Sequence, residues 1–386
     1  MPDVTLRLPS QIVLSGGCSD EVASAAAGRG MTRPLVVTDP YLAHHGPLGD
    51  LLARLDAAGL AAAVYGAVRP DPTTSNVDEA LDLVREHDAD GVIAVGGGSS
   101  LDVGKAVAVM ATNPGVVSDY AGYSRVPSAG LPVIGIPTTA GTGSEVTRVS
   151  VITDSDRSVK MMLLDDHLLC SVALVDYRLT LSCPRELTAH VGIDSLTHAI
   201  EAYVSRLANP VTDLWAVKAA RLIAPNLRQA CENPDDGPAR EALTIGATLA
   251  GMAFSNASVA LVHGMSRPLG AHFHLTHGLS NAVLLPEVTR YSVPAAQARY
   301  AALGRALDFA AADDDNALAA DKLVDGLARL NHDLGIPRLR HLGVERTHFD
   351  AVKHDMAAAA LESGSPGFNP RIPDADEIIE LYEKVY

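Results

Sequence analysis

The stretch GVIAVGGGSSLDVGKAVAVMA, residues 91–111, decides the fold class of this chain. Its first five residues, Gly91–Val95, form a short apolar run that is typical of a strand. Three glycines follow directly, and Leu101–Ala111 then predicts a helix. A strand that passes through a tight turn into a helix is the repeating unit of parallel α/β sheets.

The same alternation extends outward from this stretch in both directions. Strands are predicted over 34–39, 61–68 and 132–136, and helices over 47–59 and 73–87. The pattern changes after about residue 180, where helical periodicity dominates 188–205, 211–230, 239–255 and 295–334. We therefore expect an N-terminal α/β domain with a mostly parallel sheet over 1–183 and an all-α domain over 184–386.

Composition limits the partners and the compartment. The 386 residues suit two domains, and 30 basic against 46 acidic residues give a net charge of −16. This acidic balance argues against nucleic acid or an anionic membrane as a partner. The 4 cysteines form no CxxC pair, the N-terminus has no secretory pattern, and no apolar run reaches the ~18 residues of a membrane span. We expect a cytoplasmic protein.

Two glycine-rich loops follow predicted strands and point to a nucleotide. Gly96–Ser99 could bring backbone N–H groups close to a phosphate at a helix N-terminus, although alone it is equally a tight turn. Residues 137–146, PTTAGTGSEV, follow the next strand in the same way. Two such loops at successive strand ends favour a nucleotide site. Asp39 also ends a strand, where it could bind the ribose of NAD or simply cap a helix.

A second set of residues suggests a metal site. Asp194 and His198 are spaced i, i+4, so a helix would present both on one face, and His263 and His277 follow in a histidine-rich segment. One carboxylate and three imidazoles suit Fe²⁺, Zn²⁺, Co²⁺ or Mn²⁺. The alternative for the first two residues is an ordinary surface pair on a helix.

With these motifs in place, the sequence resembles the iron-containing alcohol dehydrogenases over nearly its whole length. The matching segments are Asp39, GGGSSLDVGK (96–105), PTTAGTGSEVT (137–147), DSLTHAIEAY (194–203), His263 to HGLSNAVLLP (277–286), Asn369-Pro-Arg371 and Tyr382. The resemblance implies a dinucleotide-binding domain, a helical domain and a site in the cleft between them. It places Fe²⁺ or another divalent metal on Asp194, His198, His263 and His277. It places NAD(H) on Asp39, Asp71, Gly96, Gly97, Gly98, Ser99, Asp102, Thr138, Thr139, Thr142, Val151, Lys160 and Leu179.

The chain departs from the family pattern at Arg267, where relatives commonly have a histidine. Arginine cannot relay protons near neutral pH. His272 or His274, a ribose hydroxyl or water would then serve as the relay. Arg267 itself could bind an anionic tail on the substrate, or could be a structural residue paired with an acidic neighbour. Asp71 is a second departure, because relatives often have asparagine there.

The resemblance implies a metal-dependent, NAD-linked oxidoreductase that interconverts a small primary alcohol or diol and its aldehyde, and a homodimer or larger homo-oligomer. The strand-like stretch 5–14 is a candidate for pairing between subunits. The main alternative is a lyase or cyclase of the dehydroquinate synthase type, which would give no net change in NADH. A metallohydrolase would leave both loops unexplained, and a non-catalytic binding protein would bind neither metal nor NAD.

Overall fold

A computed structural model of the chain describes residues 4–155, 157 and 159–386. The chain divides into an N-terminal unit, Thr5–Cys183, and a C-terminal unit that comprises Pro184–Tyr386 together with Val4. The predicted fold class is confirmed, since the first unit is built on a parallel sheet and the second is helical.

The N-terminal unit contains nine strands and five α-helices among its described residues. In chain order they are β1 (Gln11–Leu14), α1 (Val22–Ala27), β2 (Pro34–Val37), α2 (Pro40–His44), α3 (Leu48–Ala57), β3 (Ala63–Tyr65), α4 (Thr74–His87), β4 (Gly91–Gly96), α5 (Gly98–Met110), β5 (Gly122–Tyr123), β6 (Val133–Pro137), β7 (Val149–Asp154), β8 (Val159–Leu164) and β9 (Val172–Val175).

Six of these strands form one parallel sheet in the order β1-β9-β6-β4-β2-β3. The order reverses between β2 and β4, because β3 follows β2 on its outer side and β4 then starts on the other side. Such a switch point opens a crevice at the carboxyl ends of the two strands. Asp39 and the Gly96–Ser99 loop both follow strands that end there.

Both faces of this sheet are buried, as in other parallel sheets with helices on each side. Alternate residues of β2 point to opposite cores: Leu35 and Val37 pack on one side with residues of α4 and α5, and Val36 packs on the other with residues of α3. Helix α5 lies very close to β4, since a Cβ on Gly104 would stand 2.6 Å from the Cβ of Ala94. A larger residue at position 104 would separate the helix from the strand.

A second, three-stranded sheet in the order β5-β8-β7 was not predicted from the sequence. Strands β7 and β8 pair antiparallel, from Val149 opposite Leu164 to Asp154 opposite Val159. Their burial alternates along both strands, which is the pattern of a half-buried hairpin. This hairpin brings Val151 and Lys160 into the same unit as the glycine-rich loops.

The described residues of the C-terminal unit form nine α-helices and no strand. They are α6 (Arg185–Val204), α7 (Pro210–Glu232), α8 (Gly237–Ala257), α9 (Leu261–Phe273), α10 (His277–Ser292), α11 (Gln297–Ala306), α12 (Asn316–Leu334), α13 (Arg346–Glu362) and α14 (Ala375–Val385). Helix α6 is buried on nearly every side and packs against α7, α8 and α10. It is therefore the central helix of this unit.

The predicted helical stretch 295–334 is interrupted in the structure. Helix α11 ends at Ala306, Asp308 takes a left-handed φ of 57°, and α12 restarts at Asn316. The side chain of Asp315 caps the new helix by accepting from the N–H of Leu318. Aspartates that favour turns and caps thus break a segment whose apolar periodicity continues on both sides.

No single helix in the described ranges has the length and hydropathy of a membrane span. Helices α8 and α9 meet that criterion only when taken together, across a bend of 103°.

Candidate active site

The four predicted metal ligands converge in the C-terminal unit. Asp194 and His198 come from the middle of α6, His263 from the first turn of α9, and His277 is the first residue of α10. One ligand atom from each lies within 4.8 Å of all the others. The Asp194 Oδ1 atom is 3.9 Å from His198 Nε2, 3.5 Å from His263 Nε2 and 3.7 Å from His277 Nε2.

These spacings fit a single divalent ion. Ligand atoms at about 2.1 Å from an ion lie about 3.4 Å apart at the corners of a tetrahedron. The observed separations of 3.5–3.9 Å are close to that value. Asp194, His198 and His263 are buried, whereas the His277 side chain is 42% exposed. The cluster is therefore closed on one side and accessible beside His277.

The charges in the cluster are strongly coupled. Burial acts to raise the pKa of Asp194, but the imidazoles of His198, His277 and His263 outweigh it and hold that pKa well below its usual range. Burial likewise acts to lower the pKa of His263, but the carboxylates of Glu201 and Asp194 raise it to about 9. The carboxylate thus stays ionised, and a buried anion among imidazoles is a favourable place for a cation.

Two further residues contact the ligands and were missed from the sequence. Glu201 lies 2.5 Å from Nδ1 of His263, and the Asn281 Nδ2 donates to Asp194 Oδ1 at 2.6 Å. Both are buried. Helical spacing was the available signal, because Glu201 follows His198 by three residues and Asn281 follows His277 by four. The imidazole of His198 also stacks on Phe254, with ring centroids 4.3 Å apart.

In the N-terminal unit, the loops after β2, β4 and β6 meet at the switch point. Asp39 caps α2 by accepting from the N–H of Leu42 at 3.0 Å, so the helix-cap role is present. Its other oxygen, Oδ2, lies 3.5 Å from where a Cβ on Gly96 would stand. Gly96 has φ +146°, and a Cβ there would also stand 2.5 Å from Ser100 Oγ, so only glycine suits this turn.

The two glycine-rich loops touch each other. A Cβ on Gly98 would stand 2.7 Å from the Thr142 side chain, and one on Gly97 would stand 3.6 Å from that of Thr139. Helix α5 starts at Gly98, after the extended residue Gly97. Its free N–H groups and the threonine hydroxyls lie at the carboxyl edge of the sheet, which is a favourable place for an anion.

The Asp102 side chain makes hydrogen bonds and an ion pair within the protein, and these contacts link the surrounding segments. Its carboxylate accepts from Ser144 Oγ at 2.6 Å and from the N–H of Val151 at 2.9 Å, and it lies 3.5 Å from the fully buried Nζ of Lys105. Lys105 also donates to the carbonyl oxygens of Ser144, Thr147 and Val149. This network ties α5 to the second loop and to β7.

The remaining predicted cofactor contacts lie in different environments. Asp71 has a left-handed φ of 53° and pairs with Lys160, with Oδ1 and Nζ 2.6 Å apart. Val151 lies in β7, and Leu179 packs in the core on one face of the sheet. Thr138 directly follows β6, and Ser99 lies in the first turn of α5. All of the predicted cofactor contacts therefore lie in one unit, and two of them, Asp71 and Lys160, pair with each other.

The three candidates for proton relay or substrate contact all lie at or beyond the middle of α9. Arg267 follows His263 by one turn and is partly buried. His272 is nine residues from His263, which is about 13 Å along the helix axis. His274 is exposed and ends the helix with a left-handed φ of 55°. Arg267 is thus the candidate nearest to the cluster along the helix.

Comparison with known proteins shows which family this chain resembles in sequence and in fold. The family model described as iron-containing alcohol dehydrogenase matches residues 9–177, and the C-terminal model of the same family matches 188–386. The 1,3-propanediol dehydrogenase of Citrobacter freundii is 39% identical over 363 residues, with 92% of each chain covered. The NAD-dependent methanol dehydrogenase of Bacillus methanolicus is 36% identical over 375 residues, with 97% of each covered. A crystal structure of a 1,3-propanediol oxidoreductase superposes with a TM-score of 0.97 at 36% identity, covering 100% of both chains.

Proposed function

Because the chain belongs to the iron-containing alcohol dehydrogenase family, we propose that Asp194, His198, His263 and His277 hold its catalytic divalent metal ion. The protein is an NAD-dependent oxidoreductase that interconverts small alcohols or diols and their aldehydes. The names of its relatives favour this chemistry over the lyase alternative. The observation that supports the metal assignment is the convergence of the four ligand atoms within 4.8 Å.

We propose Fe²⁺ as the native ion, with Zn²⁺ as the principal alternative, since a site with three nitrogens and one oxygen suits both. When bound, the ion supplies Lewis-acid polarisation of the substrate oxygen and NAD(H) supplies or accepts the hydride. The residues of this chain bind the metal ion and hold it in place. Asp194 provides the negative charge, and the buried imidazoles of His198 and His263 keep water away from one side of the site.

For the cofactor, we propose that the switch-point loops bind the pyrophosphate of NAD(H) and that Asp39 accepts from a ribose hydroxyl. The contact between the two loops and the position of the Asp39 Oδ2 beside Gly96 support this proposal. Asp102 would then act by holding Ser144 and Val151 in place. The ion pair between Asp71 and Lys160 would hold these two predicted cofactor contacts together.

For the substrate, we propose that Arg267 binds an anionic tail. It lies on the same face of α9 as His263, one turn further on, and its planar guanidinium can bind a carboxylate or a similar group through two hydrogen bonds. His272 and His274 remain candidates for proton relay, but their distance along α9 would require a chain of water molecules.

The deciding experiment measures NADH consumption by anaerobically purified protein loaded with Fe²⁺. The panel contains neutral and anionic short aldehydes, with a chelated sample as the control. Metal-dependent consumption is the expected result. No consumption of any substrate by protein that demonstrably holds metal and NAD would contradict the proposal and favour the lyase alternative.

The role of Arg267 is tested by Arg267→Leu in the same assay. A charged hydrogen bond contributes about 1.5–3 kcal/mol, so kcat/KM for the preferred anionic aldehyde should fall by about 10- to 100-fold. The value for a neutral aldehyde should change little. Arg267→Lys is the matched control, because it keeps the charge and loses the planar fork. An equal loss on both kinds of aldehyde would assign a structural role to Arg267.

The expected homo-oligomer stays a prediction. Strand β1 lies at one edge of the six-stranded sheet and pairs with β9. Light scattering on the purified protein would give the subunit number, and a monomer would remove the proposed pairing of residues 5–14.

A further inference from the structure

Glu201 is a buried carboxylate beside the metal cluster that is not one of its four ligands. It lies on α6, seven residues after Asp194 and three after His198, so the three side chains share one face of the helix. Its exposed fraction is 3%. An ionisable side chain is almost never buried so completely unless other groups compensate it, so its partners indicate its role.

All of the partners that the structure gives Glu201 belong to the start of α9. The carboxylate accepts from the backbone N–H of Ala260 at 2.9 Å and from that of Val262 at 2.6 Å. Its Oε2 lies 2.5 Å from Nδ1 of His263. The first four N–H groups of a helix have no partner within the helix, and a negative charge there is stabilised by the helix dipole. Glu201 therefore caps α9 from a different helix.

The contact with His263 fixes which ring nitrogen carries the proton. Both oxygens of Glu201 already accept from backbone N–H groups, and an oxygen that accepts from those donors also faces Nδ1 as an acceptor. Nδ1 is then the protonated nitrogen. Nε2 is then the nitrogen that faces the cluster, 3.5 Å from Asp194 Oδ1. A neutral imidazole with a free Nε2 is the form that binds a metal ion.

The charges also balance around Glu201. A divalent ion carries +2, the carboxylate groups of Asp194 and Glu201 offset that charge, and the three imidazoles are neutral when they bind. An uncompensated buried charge is costly, so the second carboxylate favours occupancy of the site by a divalent ion.

We propose that Glu201 is a positioning residue that sets the tautomer and orientation of His263 and thereby the affinity of the site for its metal. The inference rests on the proposed metal centre and adds a residue to it. Removal of an outer partner of a metal-binding histidine typically lowers metal affinity by 10- to 100-fold. Glu201 acts on the metal through His263 and does not touch the ion.

The test uses Co²⁺ as the probe, because its visible absorption reports both binding and ligand geometry. The metal-depleted full-length protein is titrated with Co²⁺ in competition with a chromophoric chelator. For Glu201→Gln, which keeps the shape but loses the charge, we expect an affinity about 10- to 100-fold below that of the wild type and a changed absorption band. A wild-type affinity and spectrum in the folded variant would overturn the proposal.

Tyr382→Phe is the matched control. The Tyr382 hydroxyl donates to the carbonyl oxygen of Met265, two residues beyond His263, so the variant also removes an anchor of α9 but leaves the imidazole contact intact. We expect its Co²⁺ affinity to stay within about twofold of the wild type, because the contact with the ligand is unchanged. An equal loss in both variants would assign Glu201 to helix placement alone and would overturn the proposal.

A variant that does not fold and a wild-type protein that does not bind Co²⁺ are distinguished as follows. If circular dichroism shows that Glu201→Gln does not fold, Glu201→Asp replaces it, since that variant keeps the charge but withdraws the carboxylate by one methylene group. A wild-type Co²⁺ affinity for folded Glu201→Asp would then overturn the proposal. Failure of the wild-type protein itself to bind Co²⁺ would instead contradict the proposed metal centre.

Discussion

The two units prepare their sites by different physical means. In the N-terminal unit, the proposed cofactor contacts lie mostly in loops at strand ends, where glycine conformations and backbone N–H groups create the surface. In the C-terminal unit, side chains from three packed helices meet at one point, and all but one of them are buried. Loops adapt to a lost contact more readily than a buried cluster does. Damage to the helical site should therefore abolish the chemistry, whereas damage to the loop site should change stability and selectivity.

The largest expected effect is that of His263→Ala, which removes a central ligand. A bound Lewis acid contributes several kcal/mol to catalysis, so turnover should fall by about a thousandfold or more as the metal is lost. Metal content and NADH consumption are measured together. His354→Ala is the control, because His354 is an exposed histidine of α13 outside the cluster. Full activity of His263→Ala without bound metal would contradict the expectation that damage to the helical site abolishes the chemistry.

Asp102→Asn tests whether the loop site depends on buried charge at all. The variant leaves the fully buried ammonium of Lys105 without its carboxylate partner. Breaking a buried pair from one side typically lowers the free energy of unfolding by 3–5 kcal/mol, and we expect about 3 kcal/mol because Lys105 keeps its carbonyl acceptors. Urea denaturation measures the change. Asp82→Asn, at an exposed pair with Arg85, should change stability by less than about 1 kcal/mol.

The Asp102 variant should also raise KM for NADH, because asparagine keeps only one acceptor oxygen and so cannot accept from both Ser144 and Val151. A stable Asp102→Asn protein with unchanged KM would mean that the loops hold their shape without this network. The loop site would then depend on its backbone conformation alone, whereas the helical site depends on its buried side chains.

How much of this could be predicted from the sequence also differs between the units. The cluster of four proposed metal ligands was predicted because one carboxylate and three imidazoles in an apolar context are unusual, and the structure brings all four together. Glu201 was missed because a glutamate on a helix is ordinarily a surface residue, and its target, His263, lies on another helix. Helical spacing places Glu201 on the same face of α6 as His198, but nothing local to Glu201 indicates its contact with another helix.

In the N-terminal unit, short-range patterns predicted β2, β3, β4 and β6 of the parallel sheet and the turns after β4 and β6, but not strand β9 or the cross-links between segments. Gly96 was recognised because a buried strand ends there and three glycines follow. The hairpin of β7 and β8 was missed, because both strands are only half-buried and their sequences alternate weakly between apolar and polar residues. The contacts of Val151 with Asp102 and of Lys160 with Asp71 were therefore not expected. The ion pair between Asp71 and Lys160 spans 89 positions of the chain, so no local periodicity could reveal it.

Acid sensitivity should arise in the N-terminal unit at Asp176, which follows β9. Burial acts to raise its pKa, but hydrogen bonds from Arg178 and Ser19 outweigh it and lower the pKa to about 2. Its stabilisation is therefore complete above about pH 4 and is lost as the pH falls towards 2. The shift corresponds to roughly 2 kcal/mol of unfolding free energy.

The measurement compares the wild type with Asp176→Asn in urea at pH 7, 4 and 3. The difference in unfolding free energy between the two proteins should shrink as the pH falls, because protonation removes the same charge in the wild type. A difference that stays constant down to pH 3 would mean that Asp176 stabilises the fold by shape rather than by charge.

The smallest effect, and the one that separates fold from selectivity most cleanly, is that of Asp39→Gly. Asp39 has two oxygens with different tasks: Oδ1 caps α2, and Oδ2 faces the turn at Gly96. Glycine is itself tolerated at a helix N-cap, so the substitution should lower stability by only a few tenths of a kcal/mol.

The loss of the charge should matter more, because a carboxylate about 4 Å from a 2′-phosphate repels it by about 1–2 kcal/mol even in water. The ratio of kcat/KM for NADH to that for NADPH should therefore fall by about 5- to 30-fold. Asp39→Asn keeps the cap and removes the charge, so it should relax the cofactor preference equally. If only the glycine variant relaxes it, the helix cap rather than the charge sets the selectivity, and the loop site would then resemble the helical one in depending on how its side chains are held.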